Sequence, residues 1–74
     1  MPERGSRVIR VTANGKPFQV GEGTTVAAFI RQRDLDPRFV VVEYNGEPLE
    51  RTRYGETQLK DGDRLDLVRP VAGG

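Results

Sequence analysis

The residue types in this 74-residue chain leave few groups that could carry out a reaction. Cysteine and histidine are both absent, which removes a thiol nucleophile, the commonest general base and the commonest metal ligands. Two acidic pairs remain, Glu47 with Glu50 and Asp61 with Asp63. The second pair lacks the further oxygen ligands of a calcium loop, so we interpret it as a solvated turn. The sequence therefore predicts no metal site.

No segment has the pattern of a nucleotide-binding loop. Gly21-Glu22-Gly23 lacks the later glycine and the preceding core strand of a dinucleotide site. Tyr44 and Tyr54 fit the core and rim of a small domain better than acid–base roles. We therefore expect that this chain is not an enzyme and binds no cofactor of its own.

The best candidate for chemistry is the end of the sequence, Pro70-Val71-Ala72-Gly73-Gly74. Five extended residues reach at most about 17 Å, which could carry a carboxylate into the active site of another protein. Pro70 would stiffen the start of this segment, and Gly73 and Gly74 have no Cβ atoms to obstruct a narrow channel. A frayed end without function is the alternative interpretation. We predict a flexible diglycine tail over residues 70–74.

Two Asn-Gly dipeptides punctuate the chain before this tail. Asn14-Gly15 separates the alternating segment 8–13 from a second short strand that opens at Pro17. Asn45-Gly46 follows the valine-rich segment 39–44, whose β-branched residues favour a strand. Asn-Gly is typical of type I′ turns, which need positive φ at both central positions. Both dipeptides therefore predict hairpins.

The segment between the hairpins predicts one amphipathic helix over residues 26–33, because its apolar residues recur at i, i+3 and i+4. Thr24 or Thr25 can cap its start, and Asp36-Pro37 marks its end. Alternation over residues 64–69 predicts a final strand. The economical packing is an α+β domain, with the helix across the apolar face of a mostly antiparallel sheet.

Charge and hydropathy argue against two classes of partner. The 12 basic and 11 acidic residues are interleaved, so no basic patch points to nucleic acid. The longest apolar run, residues 39–42, is far too short to span a membrane, and residues 1–7 lack the apolar core of a signal peptide. We expect a cytoplasmic protein that is monomeric when free.

Several short stretches, taken in order, carry a resemblance to a known family. They are residues 11–17, 21–26, 36–38, 42–47 and 59–65, followed by the terminal Gly73-Gly74. With these stretches the sequence resembles the sulfur-carrier proteins of thiamine thiazole biosynthesis. The resemblance implies the ubiquitin-like β-grasp fold, a mixed sheet of four to five strands with one helix packed across it. It also implies a disordered extension over residues 1–6, a domain over residues 7–69 and the tail.

The resemblance further implies that Gly74 is the site of sulfur attachment. In such a mechanism an E1-like adenylyltransferase uses ATP to adenylate its carboxylate, which otherwise is ionised and a poor electrophile. A persulfide from a cysteine desulfurase or another donor then yields a thiocarboxylate, and thiazole synthase takes the sulfur. Gly73, Ala72, Val71 and Pro70 would present this group. The chain would be a protein co-substrate, with ATP used by its partner.

These partners would need a docking surface beside the tail. By strand alternation, some apolar side chains point away from the helix, and Arg64 and Arg69 would form a polar rim around them. The predicted docking patch consists of Phe39, Val41, Val68, Arg64 and Arg69. Isolated surface valines without a partner are the alternative.

Related functions stay open at this point. Arg69-Pro70 and the Gly-Gly ending are similar to the small subunit of molybdopterin synthase, and a carrier for tRNA thiolation would look nearly the same. Two alternatives belong to another class. One is a ubiquitin-like modifier joined to lysines of target proteins, and the other is a plain interaction module.

Overall fold

The computed structural model describes residues 7–70, which form one five-stranded sheet with a helix across one face. The elements in chain order are β1 (Val8–Ala13), β2 (Lys16–Gly21), α1 (Val26–Gln32), β3 (Val41–Tyr44), β4 (Glu47–Leu49) and β5 (Arg64–Val68). The strands lie in the order β2-β1-β5-β3-β4. The β1–β5 pair is parallel and the other pairs are antiparallel. This is the predicted α+β arrangement. The first and last strands are adjacent in the sheet, which the residue pattern alone left open.

Both Asn-Gly dipeptides form the predicted turns. Asn14 and Asn45 each have a φ of 52°, and the glycines that follow them have φ values of 80° and 87°. Positive φ at both central positions defines the type I′ turn, and asparagine and glycine adopt it most readily. The first turn joins β1 to β2 and the second joins β3 to β4, each pair antiparallel.

Helix α1 begins at the second of the two candidate caps. The Oγ1 of Thr25 accepts a hydrogen bond from the N–H of Ala28 at 3.1 Å. This contact satisfies one of the backbone donors that a helix start leaves without an intrahelical partner. Within the described residues, no helix is long and apolar enough to cross a membrane.

The third strand starts later than predicted. The sequence predicted a strand over residues 39–44, but Pro37–Phe39 forms a 3₁₀ turn and β3 begins at Val41. Asp36 caps the turn by accepting a hydrogen bond from the N–H of Arg38 at 2.9 Å. A proline at the first position of a helical turn is also pre-set to its φ. These local preferences for a turn outweigh the strand preference of the aromatic residue.

The core lies between α1 and the facing side of the sheet. Phe29 and Ile30 of the helix are almost completely buried, and so are Val42 of β3 and Leu65 of β5. Burial of such side chains is the main stabilising contribution in a domain of this size. The buried apolar residues are Ile9, Val11, Ala13, Val20, Val26, Ala27, Phe29, Ile30, Val40, Val42, Tyr54, Leu59 and Leu65.

Candidate functional site

The last described residues leave the domain from the middle of the sheet. Strand β5 lies between β1 and β3 and ends at Val68, and the exposed residues Arg69 and Pro70 follow it. A central strand is hydrogen-bonded on both sides and therefore defines where the chain leaves the domain. The contacts at the C-terminal end of β5, where the chain leaves the sheet, are the part of the candidate site that the structure describes.

Most of the predicted tail lies outside the described residues. Pro70 is described and exposed, whereas Val71, Ala72, Gly73 and Gly74 are outside the described range. Sulfur attachment at Gly74 and presentation by the residues before it therefore stay predictions.

Asn14 holds β5 near its end, on the side of β1. The backbone N–H of Asn14 donates to the carbonyl of Leu65 at 2.9 Å, which completes the parallel ladder of β1 and β5. At Leu67, two residues farther along β5, the side chain of Asn14 provides the hydrogen bonds instead of the backbone of β1. The N–H of Leu67 donates to Asn14 Oδ1 at 2.7 Å, and Asn14 Nδ2 donates to the carbonyl of Leu67 at 3.2 Å. The ladder thus continues to Leu67 although the backbone of β1 has turned away.

Asn45 holds the start of β5, on the side of β3. Its Oδ1 accepts a hydrogen bond from the N–H of Arg64 at 2.8 Å, and its own N–H donates to the carbonyl of Arg64 at 2.7 Å. Its Nδ2 donates to Asp63 Oδ1 at 3.1 Å. The two Asn-Gly turns therefore hold opposite ends of the same strand.

The interpretation of Asp63 as a solvated residue is wrong. Asp63 is 8% exposed and accepts hydrogen bonds from the Tyr44 hydroxyl at 2.5 Å and the Lys60 N–H at 2.8 Å, besides the bond from Asn45. Several donors compensate a buried carboxylate for the water it has lost. Burial of the phenol, together with its hydrogen bond to Asp63 and the negative charge there, raises the pKa of Tyr44 to about 12.

The structure brings part of the predicted docking patch together. Val41 and Val68 pair directly across β3 and β5, and they are 43% and 55% exposed on the face away from the helix. Arg69 follows Val68 and is exposed. Phe39 is exposed, but it lies in the 3₁₀ turn rather than in the strand. Arg64 is at the other end of β5, about 13 Å from Val68 along the strand. Docking on these residues stays a prediction.

Two carboxylates that the sequence reasoning missed separate Arg64 from the valine pair. Glu43 and Asp66 pair directly across β3 and β5, and both are exposed. Neither forms an ion pair with another described residue. Strand alternation could have found them, because they follow the same period of two as the valines. Among residues 7–70, no group of three or more His, Cys, Asp or Glu could hold a metal ion.

Residues 7–74 match the ThiS family. The chain belongs to the ThiS family. The resemblance proposed from the sequence is thereby confirmed, and the match includes both the described domain and residues 71–74.

Solved structures agree with this ThiS-family assignment. The crystal structure of the thiamine biosynthesis protein ThiS from Geobacter metallireducens is 35% identical, with a TM-score of 0.76 over 89% of this chain and 100% of that chain. A ubiquitin from Caldiarchaeum subterraneum is 25% identical, with a TM-score of 0.53 over 95% of this chain and 100% of that chain. The predicted ubiquitin-like β-grasp fold is confirmed.

A curated relative of this ThiS-family chain is much longer. The thiazole synthase of Paramagnetospirillum magneticum is 30% identical over 66 residues, which are 89% of this chain and 20% of that protein. The chain therefore spans about a fifth of the length of that relative.

Proposed function

We propose that this chain is a sulfur carrier of thiamine biosynthesis and that the carboxylate of Gly74 carries the sulfur. The observation that supports this most is the match to the ThiS family, which extends to Gly74 itself. The described fold supports it too, since a central strand leads into the last residues. The chain acts in this proposal as a protein co-substrate, and the catalytic groups belong to its partners.

The proposed chemistry begins with activation. An E1-like adenylyltransferase joins the carboxylate of Gly74 to the α-phosphate of ATP, and pyrophosphate leaves. Activation is needed because an α-carboxyl group, with a pKa of about 3.3–3.7, is ionised at neutral pH. The adenylate then provides the leaving group that a carboxylate lacks. ATP is used by the partner, and the carrier contributes the acyl group.

Sulfur transfer follows in two steps. A partner persulfide, formed with a cysteine desulfurase or another donor, attacks the acyl carbon and displaces AMP. Two electrons from a thiol reductant then cleave the acyl disulfide and leave a thiocarboxylate on Gly74. The carrier has no cysteine that could intercept the activated acyl group. Its terminal sulfur is a nucleophile that thiazole synthase can use.

Length and exposure support delivery into a partner. Pro70 is exposed, and the four residue steps from Pro70 to Gly74 could span at most about 14 Å. In the proposal a partner docks on the exposed valine pair, Val41 and Val68, while its active site receives the chain end. Phe39 and Arg69 would lie at the margin of that contact.

A specific observation favours thiazole synthase as the acceptor. A protein named thiazole synthase contains a segment that is 30% identical to most of this chain. This likeness supports thiamine biosynthesis over molybdopterin synthesis or tRNA thiolation. A ubiquitin-like modifier would share the activation step but would end on a lysine of a target protein.

Intact-mass measurement tests the proposal. The untagged chain is incubated with ATP, cysteine and an extract of its source. We expect a mass increase equal to one oxygen replaced by sulfur, absent without ATP and absent after deletion of Gly74. An unchanged mass in an extract that thiolates another carrier would contradict the proposal. Lysine-linked adducts in the same extract would favour a modifier instead.

A further inference from the structure

We propose that Asn14 is a positioning residue that fixes where the chain leaves the sheet toward the partner's active site. The inference rests on the proposed function, because it concerns delivery of Gly74. It depends on the two hydrogen bonds between the Asn14 side chain and the backbone of Leu67.

The backbone of Leu67 would otherwise have no strand partner on the side of β1. Backbone groups of successive strand residues point to alternate sides, and the carbonyl of Leu65 points toward β1, where it accepts from Asn14. Leu67 has the same orientation, but the chain of β1 has already turned at Asn14-Gly15. A side-chain amide has the same donor and acceptor as a peptide group. Asn14 therefore takes the place of the strand residue that the turn removes.

This contact holds the end of β5 on the side of β1. On the side of β3, the pair of Val41 and Val68 continues the ladder to the last residue of the strand. On the side of β1, backbone pairing ends at Leu65, and only the Asn14 side chain reaches farther among the described contacts. Without it, Leu67 and Val68 would form the end of an edge strand. Greater backbone motion of Leu67 and Val68 would extend to Arg69 and Pro70.

Delivery of an acyl group to an active site depends on such positioning. A reacting group held in a near-attack geometry gains much of its rate from orientation, and a displacement of 1 Å can cost about 100-fold. Asn14 is far from Gly74 in sequence, and its described side-chain hydrogen bonds are both to the backbone of Leu67. Its loss should therefore slow the activation step without changing how tightly the domain docks.

The chain itself offers a matched control. Asn45 is in an equivalent turn with the same φ of 52°, and its side chain also makes two hydrogen bonds. Those bonds hold Asp63 and Arg64 at the start of β5, the opposite end of the strand from Val68. Asn14→Gly and Asn45→Gly both keep a residue that accepts positive φ, and both remove two side-chain bonds.

A third variant separates the turn from the contact. Asn14→Asp tolerates the same backbone conformation and keeps an oxygen that can accept from the N–H of Leu67. It lacks the Nδ2 donor and places a carboxylate oxygen beside the carbonyl of Leu67. We expect an effect between those of wild type and Asn14→Gly.

The first measurement uses the free chain. Backbone NMR relaxation and amide hydrogen exchange are recorded for Leu67, Val68 and Arg69 in each variant, with urea unfolding to confirm folding. Asn14→Gly should increase the rate of amide hydrogen exchange at Leu67 at least about tenfold. It should also lower the backbone NMR order parameter of Val68. Asn45→Gly should leave both unchanged. Equal behaviour of the two variants at these amides would overturn the proposal.

The second measurement is the rate of ATP-dependent adenylation by the purified partner. Asn14→Gly should lower kcat about tenfold or more with KM within about twofold, whereas Asn45→Gly should retain kcat. Equal kcat values for the two variants would overturn the positioning role. A wild-type chain that is not adenylated would instead contradict the proposed function, and the amide measurements would still decide whether Asn14 holds the strand.

Discussion

The hydroxyl of Tyr44 donates a hydrogen bond to the buried carboxylate of Asp63, across a distance of 2.5 Å. The contact joins the end of β3 to the turn that precedes β5. Asn45, next to Tyr44, donates to the other oxygen of the same carboxylate. The strand that leads to the chain end is therefore anchored at its start by one buried acid.

Removal of the Tyr44 hydroxyl should destabilise the domain. Tyr44→Phe keeps the ring but takes one donor from a carboxylate that is largely removed from water. We expect the free energy of unfolding to fall by about 1.5–3 kcal/mol, the usual contribution of a hydrogen bond to a charged group, because Asp63 keeps its bonds from Lys60 and Asn45. Urea unfolding measures this loss. The losses of stability in Tyr44→Phe and Asn45→Gly should add only in part in the double variant, because both side chains donate hydrogen bonds to the same carboxylate. Full wild-type stability in Tyr44→Phe would contradict this role for Asp63.

Alkaline pH should weaken the fold through the same residue. The pKa of Tyr44 is raised to about 12, against about 10 in an unfolded chain. The folded state therefore favours the protonated phenol. The resulting stabilisation is fully present below pH of about 10 and is lost as the pH rises toward about 12. Unfolding free energies at a series of pH values should show a decline that is smaller in Tyr44→Phe. Identical slopes in the two proteins would contradict the assignment.

The valine pair should matter for binding and not for folding. Val41→Asp and Val68→Asp change exposed strand side chains, so we expect the free energy of unfolding to fall by no more than about 1 kcal/mol, the span of strand propensities. Each should weaken binding to the adenylating partner about tenfold or more, because a charge would be buried in an apolar contact. Titration calorimetry with the purified partner measures the dissociation constant of each variant.

Val8→Asp is the matched control for that series. Val8 is 60% exposed but lies at the start of β1, away from the end of β5. Binding should be near the wild-type value in this variant. Equal losses for Val8→Asp and Val68→Asp would show that the effect is not specific to the docking patch. Loss of folding in Val41→Asp would show that this side chain supports the core.

Local signals in the sequence were sufficient to predict most of the fold. The Asn-Gly dipeptides predicted both hairpins. The periodicity of the apolar residues predicted the helix and the buried faces of the strands. The error at Phe39 has a local cause as well. Asp36 and Pro37 favour a turn more strongly than the aromatic side chain favours a strand, and the strand preference of the three valines takes effect only from Val41.

Long-range contacts could not be predicted in this way. Asp63 looks like any acidic turn residue until β3 brings Tyr44 beside it, from 19 positions away. The bond between Asn14 and Leu67 joins residues 53 positions apart. It depends on β1 and β5 being parallel neighbours, which the residue pattern alone left open. The type of turn at Asn14 was predictable, but the second role of its side chain was not.

Fragment mass spectrometry of the carrier after sulfur loading tests the central claim most directly. The wild-type chain is incubated with the purified adenylating partner, ATP, cysteine and a desulfurase, and its C-terminal fragments are then measured. The account predicts that one oxygen is replaced by sulfur on Gly74 and nowhere else. Sulfur found on another residue, or a chain that stays unmodified while a known carrier is loaded by the same enzymes, would contradict it.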